Sequence, residues 1–278
     1  MKKIGILYIS TAALLIASCA TFKTQYKNDR ERERSEWPES NISQRIFLVS
    51  DAGHVGEEGR SPALDLLEQK LQDAGANSNV LFLGDNIYPK GLPSERYEEK
   101  HQAALKAIDY QLQTLENYEG KPFFIPGNHD WGSGRDAVER QADYIQEYIN
   151  EKIHGREDKD EWEEYFLPEN ACPGPTDVVI NDHLAVIFID SQWWLHNWDK
   201  EPNMHEACAI RSRKDFAFFL EDVMRKHRHK NVIIASHHAL ESYGSHGGKY
   251  SLKSHLFPLS EINPDLMIPL PGIGSAAL

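Results

Sequence analysis

Residues 80–88, Val-Leu-Phe-Leu-Gly-Asp-Asn-Ile-Tyr, join a short apolar run to a glycine and then to a carboxylate, an amide and a phenol. Four consecutive apolar residues that end at a glycine predict a buried β-strand. Ligands of α/β proteins bind in the crevice beyond the carboxyl ends of the strands, which is where Asp85 and Tyr88 would lie. This stretch therefore predicts a strand that brings polar side chains to a functional site.

Polar residues also follow three other apolar runs. They are Asp51 in VSDAGH, Asn128 and His129 in GNHD, and His237 in ASHH. A single aspartate at a strand end is usually a helix cap or a turn residue. Four such strand ends in one chain favour a shared site instead. Carboxylate, phenol, amide and imidazole groups together suit hard or borderline metal ions.

Apolar runs and segments of helical spacing alternate along the chain. The predicted strands are 44–51, 80–83, 123–125, 177–180, 184–190 and 231–236, with one more beginning at Leu266. The predicted helices are 62–74, 94–118, 136–153 and 211–227. The second helix has Ser94 as its expected N-cap. This alternation indicates an α/β layered fold with buried sheets.

Composition excludes several classes of protein. The chain has 278 residues, a net charge of −13 and 3 cysteines. Since a typical domain has ~150 residues, this length corresponds to one large domain or two small ones. The acidic balance argues against a nucleic-acid-binding surface, because no basic patch is available to release counterions. Three cysteines are too few for a disulfide framework, and the sequence leaves open whether Cys172 and Cys208 pair.

The first residues are typical of a targeting signal. Lys2 and Lys3 precede an apolar run over 4–17 that is short for a membrane span. The run ends in Ile-Ala-Ser-Cys, which resembles the bacterial lipobox and implies that Cys19 is lipidated. A plain signal peptide or a buried N-terminal helix is the alternative. We therefore expect a lipoprotein signal at 1–18, a charged tether at 19–43 and a globular domain at 44–278.

Ala20 follows the lipidated position. An aspartate at this position would resemble an inner-membrane retention signal, and the chain lacks it. The expected location is the bacterial cell envelope, with the protein anchored to the outer membrane and facing the periplasm or the surface.

The series of strand-end motifs resembles the calcineurin-like dinuclear metallophosphoesterases, and most closely the small purple acid phosphatase branch. The resemblance extends from about Gln44 to Pro269. It implies a four-layer α/β/β/α sandwich with two facing mixed sheets. It also implies hydrolysis of phosphate monoesters by a dinuclear metal centre, in which a hydroxide held by the metals attacks phosphorus. The metals would be Fe(III) and a divalent iron, zinc or manganese ion.

The resemblance gives each strand-end donor a role. Asp51 and Tyr88 would bind the first metal, and Asn128 and His237 the second. Asp85 would bridge both ions and hold them ~3.5–4 Å apart, as an in-line displacement requires. A phenol with an ordinary pKa of ~10 ionises at acidic pH only beside a strong Lewis acid, so the tyrosine ligand implies trivalent iron.

Two histidines would serve the substrate. His129 would lie beside the phosphate and assist the leaving group. His246, nine residues after the ligand His237, would be a second active-site histidine, although a surface histidine in a glycine-rich loop is the alternative. Ordinary relatives carry Asp-x-His in the first motif, whereas Gly53 stands at that position here, as is common in the purple branch. His54 is then not expected to be a ligand.

The last motif of the family, Gly-His-x-His, does not follow His255. We therefore expect the chain to be incomplete at its C-terminus and a further C-terminal domain to be possible. The alternative functions are a non-catalytic module that binds metal or phosphate, and a nucleotide or phosphodiester hydrolase with the same centre.

Two further features have alternative interpretations. Trp193, Trp194 and Trp198 could form a wall beside the site or pack in the core. The basic segment 225–230 could attract phosphate, or it could be the basic C-terminus of a helix.

Overall fold

The computed structural model describes residues 42–56, 59–196, 208–240, 252–261 and 266–270, and this part of the chain forms six strands and six α-helices. The strands are β1 (Arg45–Val49), β2 (Ser78–Phe82), β3 (Lys121–Phe124), β4 (Thr176–Asn181), β5 (Leu184–Phe188) and β6 (Asn231–Ala235). The helices are α1 (Pro62–Gln72), α2 (Glu98–Leu112), α3 (Arg135–Glu147), α4 (Ser191–Leu195), α5 (Arg213–Lys226) and α6 (Leu252–Leu256). A π-helical segment, Tyr148–Ile153, continues α3, and short 3-10 turns occupy Glu95–Tyr97, Gln113–Leu115, Asp130–Ser133, Lys159–Glu161, Glu169–Ala171 and Pro258–Glu261.

The strands form two three-stranded sheets. The first has the order β1-β2-β3 and is parallel throughout, with Phe47 opposite Val80. In the second, β4 and β5 form an antiparallel hairpin and β6 adds parallel to β5, with Val186 opposite Ile233. The parallel connections place the carboxyl ends of β1, β2 and β3 at one edge, where the polar motifs begin.

The two sheets face each other across an apolar layer. Leu81 and Phe123 of the first sheet pack with Val186 and Phe188 of the second, and the rings of Phe123 and Phe188 lie 5.0 Å apart. The opposite face of the first sheet packs against α1, α2 and α3. The predicted layered α/β fold with two sheets is therefore confirmed. Within the described residues the first sheet is purely parallel, and the second is mixed.

Helix α1 shows why the helical predictions succeed. Ser61 caps it through a hydrogen bond from the main-chain N–H of Ala63 to its hydroxyl, and Pro62 occupies the first turn. The leucines at 64, 67 and 71 are buried on one face, as their spacing predicts. Gly75, at φ 68°, ends the segment in a conformation that favours glycine.

Two local predictions are wrong. Ser94 makes no capping hydrogen bond, because a 3-10 turn over Glu95–Tyr97 intervenes and α2 begins only at Glu98. The strand expected at Leu266 is also missing, since residues 266–270 have no regular secondary structure. Pro269 has no N–H for a strand ladder, and the N–H of Leu270 donates to the carbonyl of Leu256 instead.

The structure resolves the cysteine pairing that the sequence left open. Cys172 and Cys208 form a disulfide, with Cα atoms 5.6 Å apart and a sequence separation of 36 residues. The bridge ties the segment before β4 to the segment before α5. In a model of chain entropy, closing a loop of this length restricts the unfolded chain and so stabilises the fold.

Two of the tryptophans and part of the basic segment make contacts within the fold. Trp193 is buried and stacks on Phe216 of α5, while Trp194 packs on the same ring and is partly exposed. Trp198 lies outside the described residues. At the end of α5, Lys226 and His227 both contact Asp177 of β4, which fastens the helix to the second sheet. These basic residues are occupied by protein contacts.

Candidate metal centre

The loops after β1 and β2 are joined by main-chain hydrogen bonds. The N–H of Asp51 donates to the carbonyl of Gly84, and the N–H of Gly53 donates to the carbonyl of Asp85, both at 3.0 Å. Asp51 and Asp85 have φ values of 60° and 55°, in the left-handed region that non-glycine residues seldom adopt. Strain of this kind concentrates at functional sites, and here both strained residues carry carboxylates.

Donor atoms from both sheets converge at this point. Carboxylate oxygens of Asp51 and Asp85 and a ring nitrogen of His237 all lie within 4.8 Å of one another. Asp85 is 2% exposed and therefore lies at the floor of the site. The structure thus brings together side chains that follow β1, β2 and β6.

The hydroxyl of Tyr88 contacts both carboxylates. It lies 2.8 Å from Oδ1 of Asp51 and 2.9 Å from Oδ2 of Asp85. A phenol has one proton, so only one of these two short contacts can be a hydrogen bond while both carboxylates are ionised. Three oxygen atoms therefore crowd together with one proton among them, an arrangement that a cation would relieve.

The second side of the site shows the same excess of electron-pair donors. Nδ1 of His237 lies 2.8 Å from the carbonyl of Leu83, which can only accept, so Nδ1 carries the ring proton. Nε2 then points its lone pair at Oδ1 of Asn128, 3.0 Å away, and at Oδ1 of Asp85, 3.6 Å away. A backbone hydrogen bond that fixes the histidine tautomer in this way is common for metal ligands.

The pKa values of Asp51 and Tyr88 shift in opposite directions. Burial opposes ionisation of Asp51, but hydrogen bonds from Ser50 and Tyr88 hold its pKa below the ordinary value. Burial, followed by the hydrogen bonds to Asp51 and Asp85, raises the pKa of Tyr88 above the ordinary value. Without a cation the phenol therefore keeps its proton. The chemistry of the donor set fits metal ions.

His129 contacts the site through its main chain and faces solvent with its ring. Its N–H donates to Oδ1 of Asp85 at 2.8 Å, and its Nδ1 lies 2.7 Å from the carbonyl of Pro89. The ring packs against Tyr88 and leaves Nε2 3.9 Å from Oδ2 of Asp85. This placement puts Nε2 at the open side of the donor cluster. His246 and Cys19 lie outside the described residues.

Asp130, the last residue of GNHD, organises the loops that carry the donors. It is fully buried, and its carboxylate accepts hydrogen bonds from the main-chain N–H groups of Asn86, Ile87 and Gly127. The side-chain amide of Asn86 donates to it as well. Burial is the main cause that raises the pKa of Asp130 to about 6. This residue is part of the GNHD motif, but the sequence alone did not reveal that it organises the loops.

A second buried carboxylate supports the same region from the second sheet. Asp190 follows β5, is fully buried and accepts a 2.7 Å hydrogen bond from the indole N–H of Trp131. It also caps α4 through the N–H of Trp193. Burial raises its pKa to about 7. This contact ties the loop after β3 to the end of β5.

Gly53 has no room for a side chain, which explains why no ligand comes from this position. A Cβ atom there would lie 2.3 Å from the carbonyl carbon of Asn86 and 2.4 Å from the nitrogen of Ile87. The loop after β1 thus packs directly on the backbone of the loop after β2.

We expect Gly53→Ala to lower the free energy of unfolding by about 3 kcal/mol, because the new methyl group overpacks against backbone that must move. Gly56→Ala is the matched control, since no atom of the described residues beyond its chain neighbours lies within 4 Å of its Cβ position, and it should cost less than about 0.5 kcal/mol. Urea unfolding of both metal-free variants measures the difference. Equal stability of the two variants would contradict this packing.

The chain is similar to known proteins. Residues 44–268 match the calcineurin-like phosphoesterase family, a range that includes every donor described above. The chain is also similar to a protein named purple acid phosphatase 17 from Arabidopsis thaliana. The two are 22% identical over 264 residues, which cover 91% of this chain and 69% of that protein. With its layered α/β fold and its family match over most of its length, the chain belongs to the calcineurin-like phosphoesterase family.

Proposed function

We propose that the protein hydrolyses phosphate monoesters, as an acid phosphatase does, with a dinuclear metal centre. The observation that carries this proposal is the position of Asp85. Its Oδ2 faces Tyr88 and its Oδ1 faces His237, so the two oxygens point to two different groups of donors. A carboxylate in this position can bridge two cations.

The donors divide into two sets around that carboxylate. Asp51 and Tyr88 would hold one ion, and Asn128 and His237 the other, with Asp85 shared. A phenol that must lose its proton to bind favours Fe(III) at the first position and a divalent iron, zinc or manganese ion at the second. When bound, two such ions lower the pKa of water and neutralise the charge of the phosphoryl oxygens.

His129 would act on the leaving group. Its Nδ1 proton is used by the carbonyl of Pro89, so Nε2 can donate only from the doubly protonated ring. Nε2 would then give its proton to the departing alkoxide, and His246 would assist as a second histidine at the phosphate.

The test is hydrolysis of phenyl phosphate by the full chain supplied with iron and zinc. We expect turnover that a chelator abolishes, together with a coloured iron–phenolate charge-transfer band. Tyr88→Phe should remove the band while circular dichroism remains that of the native protein. A coloured Tyr88→Phe variant would refute the phenolate ligand. Tight metal binding without any turnover would favour a non-catalytic binding module.

A further inference from the structure

Two adjacent residues at the end of β5 contact both loops that carry the ligands proposed for the second ion. Asp190 caps α4 and Ser191 is its first residue, and neither belongs to the proposed ligand set. In the part of the chain that the structure describes, the buried aspartates are Asp190, Asp85 and Asp130, and the last two belong to the donor loops. Burying a carboxylate costs free energy unless hydrogen bonds compensate it, so the partners of Asp190 indicate its role.

The carboxylate of Asp190 holds the loop after β3. Its Oδ2 accepts a 2.7 Å hydrogen bond from the indole N–H of Trp131, and its Oδ1 accepts one of 3.1 Å from the main-chain N–H of Trp193. Trp131 is 7% exposed and follows shortly after Asn128 in the chain. The main-chain N–H of Trp131 donates to the carbonyl of Gly127 at 3.4 Å, which closes the turn that contains Asn128. Asp190 therefore fixes this turn relative to the end of β5.

The hydroxyl of Ser191 holds the loop after β6. Its Oγ accepts a 3.0 Å hydrogen bond from the main-chain N–H of His238 and lies 2.9 Å from Nδ1 of the same residue. A hydroxyl has two lone pairs and one proton, so both contacts can form together with either tautomer of the ring. His238 directly follows His237, the proposed ligand. Ser191 therefore fixes the main chain beside this ligand.

The two loops bring the second pair of donors together. Oδ1 of Asn128 lies 3.0 Å from Nε2 of His237, although the two residues come from different sheets. One of them follows a strand of the first sheet and the other follows a strand of the second. The dipeptide of Asp190 and Ser191 hydrogen-bonds to both loops and so fixes one relative to the other.

The donors proposed for the first ion are fixed by other contacts. The main-chain N–H of Asp51 donates to the carbonyl of Gly84 at 3.0 Å, and that of Tyr88 donates to the carbonyl of Gly53 at 3.3 Å. These hydrogen bonds join the loops after β1 and β2. The contacts that hold the first pair of donors are therefore separate from those that hold the second pair.

We propose that Asp190 and Ser191 are positioning residues for the second metal ion. They set the distance and the orientation between the oxygen of Asn128 and the nitrogen of His237, and neither touches the ion itself. A metal site is held in its productive geometry by residues of this kind, which lock the ligands from behind. This inference rests on the proposed function, because it requires a second ion.

The first test measures zinc binding by the full chain already loaded with Fe(III). We expect Ser191→Ala to weaken zinc binding about tenfold, the lower end of the range for residues that support metal ligands. The iron–phenolate band should keep its wavelength, because Asp51 and Tyr88 are held by other contacts. Ser191→Thr keeps the hydroxyl and should restore the zinc affinity of the wild-type protein.

Ser212→Ala is the matched control for this loss of a hydroxyl. The hydroxyl of Ser212 also accepts a main-chain hydrogen bond, from Asp215 at 3.1 Å, but it caps α5. This variant should keep both the zinc affinity and the band. Equal zinc affinities of Ser191→Ala and Ser212→Ala would overturn the role of Ser191. Loss of zinc and of the band together in Ser191→Ala would also overturn it, since a general loss of structure affects both ions.

The second test examines the contact between Asp190 and Trp131. Asp190→Asn turns an N–H toward one of its two donors, and Trp131→Phe removes the indole donor. Each change should weaken zinc binding about tenfold and leave the iron–phenolate band in place. The double variant should bind zinc no more weakly than the weaker single variant, because both changes remove the same contact. A double variant that binds zinc about a hundredfold more weakly would show independent effects and overturn the role of Asp190.

Turnover of phenyl phosphate distinguishes failure of this inference from failure of the proposed function. Zinc affinity that falls as expected, in a protein without turnover, would refute the phosphatase and support the positioning role. Normal turnover with equal zinc affinity in the wild-type protein, Ser191→Ala and Asp190→Asn would overturn the positioning role and leave the phosphatase standing. If the iron-loaded wild-type protein bound no zinc, manganese or divalent iron, the second site and this inference would both fail.

Discussion

Asp85→Asn should remove both metal ions together and lower phosphatase activity at least about a hundredfold. Even mutation of a residue that only hydrogen-bonds to a metal ligand typically lowers metal affinity or activity 10–100-fold. The main-chain N–H of His129 donates to Oδ1 at 2.8 Å, so an asparagine would keep its oxygen there. Its amide nitrogen would then face Tyr88, where Oδ2 lies now, and could not bind a cation, while the oxygen kept on the His237 side would be neutral and therefore a weaker ligand for the second ion. The variant keeps the shape of the site and loses the shared ligand.

Metal analysis after dialysis measures the result, with Asn128→Ala as the comparison. Asn128 lies on the side of His237, so its truncation should weaken chiefly one ion. The other ion would keep Asp51, Asp85 and Tyr88. Retention of one full equivalent of metal by Asp85→Asn would show that this carboxylate does not bridge.

Asp130→Asn should lower the free energy of unfolding by about 3 kcal/mol or more, because several buried N–H groups lose their acceptor at once. Its carboxylate serves the main chain of Asn86, Ile87 and Gly127, and an amide would turn an N–H toward some of these donors. The same loops carry Asp85 and Asn128, so metal affinity should fall as well.

Chemical unfolding of the metal-free protein tests this role, and Asp136→Asn is its control. Asp136 is an exposed acid in the first turn of α3, where loss of charge should cost less than about 1 kcal/mol. If the two variants had equal stability, the hydrogen bonds of Asp130 would not organise the loops.

Local patterns predicted the elements because their information is local. The apolar run before Gly84 and the leucine spacing of α1 depend on neighbours a few residues away, and both elements formed as predicted. The positions of the polar strand ends followed from the same patterns, since parallel strands bring their carboxyl ends to one edge. Their metal-binding roles stay predictions until the ions are measured.

The strand that failed to form, and the features that were missed, depend on tertiary contacts. The role of Asp130 arises from N–H groups about 44 residues away in the chain, and the disulfide joins residues 36 apart. A cleft beside Tyr88 is lined by residues as far apart in the chain as Gly53 and Ser133. The expected strand at Leu266 failed because apolar character alone does not supply a neighbouring strand. No short stretch of sequence contains the residues that make these contacts.

The hydrogen bond between His237 and the carbonyl of Leu83 joins residues 154 positions apart and connects the two sheets at the donor cluster. The donors therefore meet only after contacts of high sequence separation have formed, which are the slow contacts in folding. Neither GDNIY nor GNHD, excised as a peptide, would contain the arrangement. A ligand that binds only the native state adds its binding free energy to the stability of that state. Ions at this centre would therefore stabilise the packing of one sheet on the other. Metal occupancy would then report on the last stage of tertiary assembly.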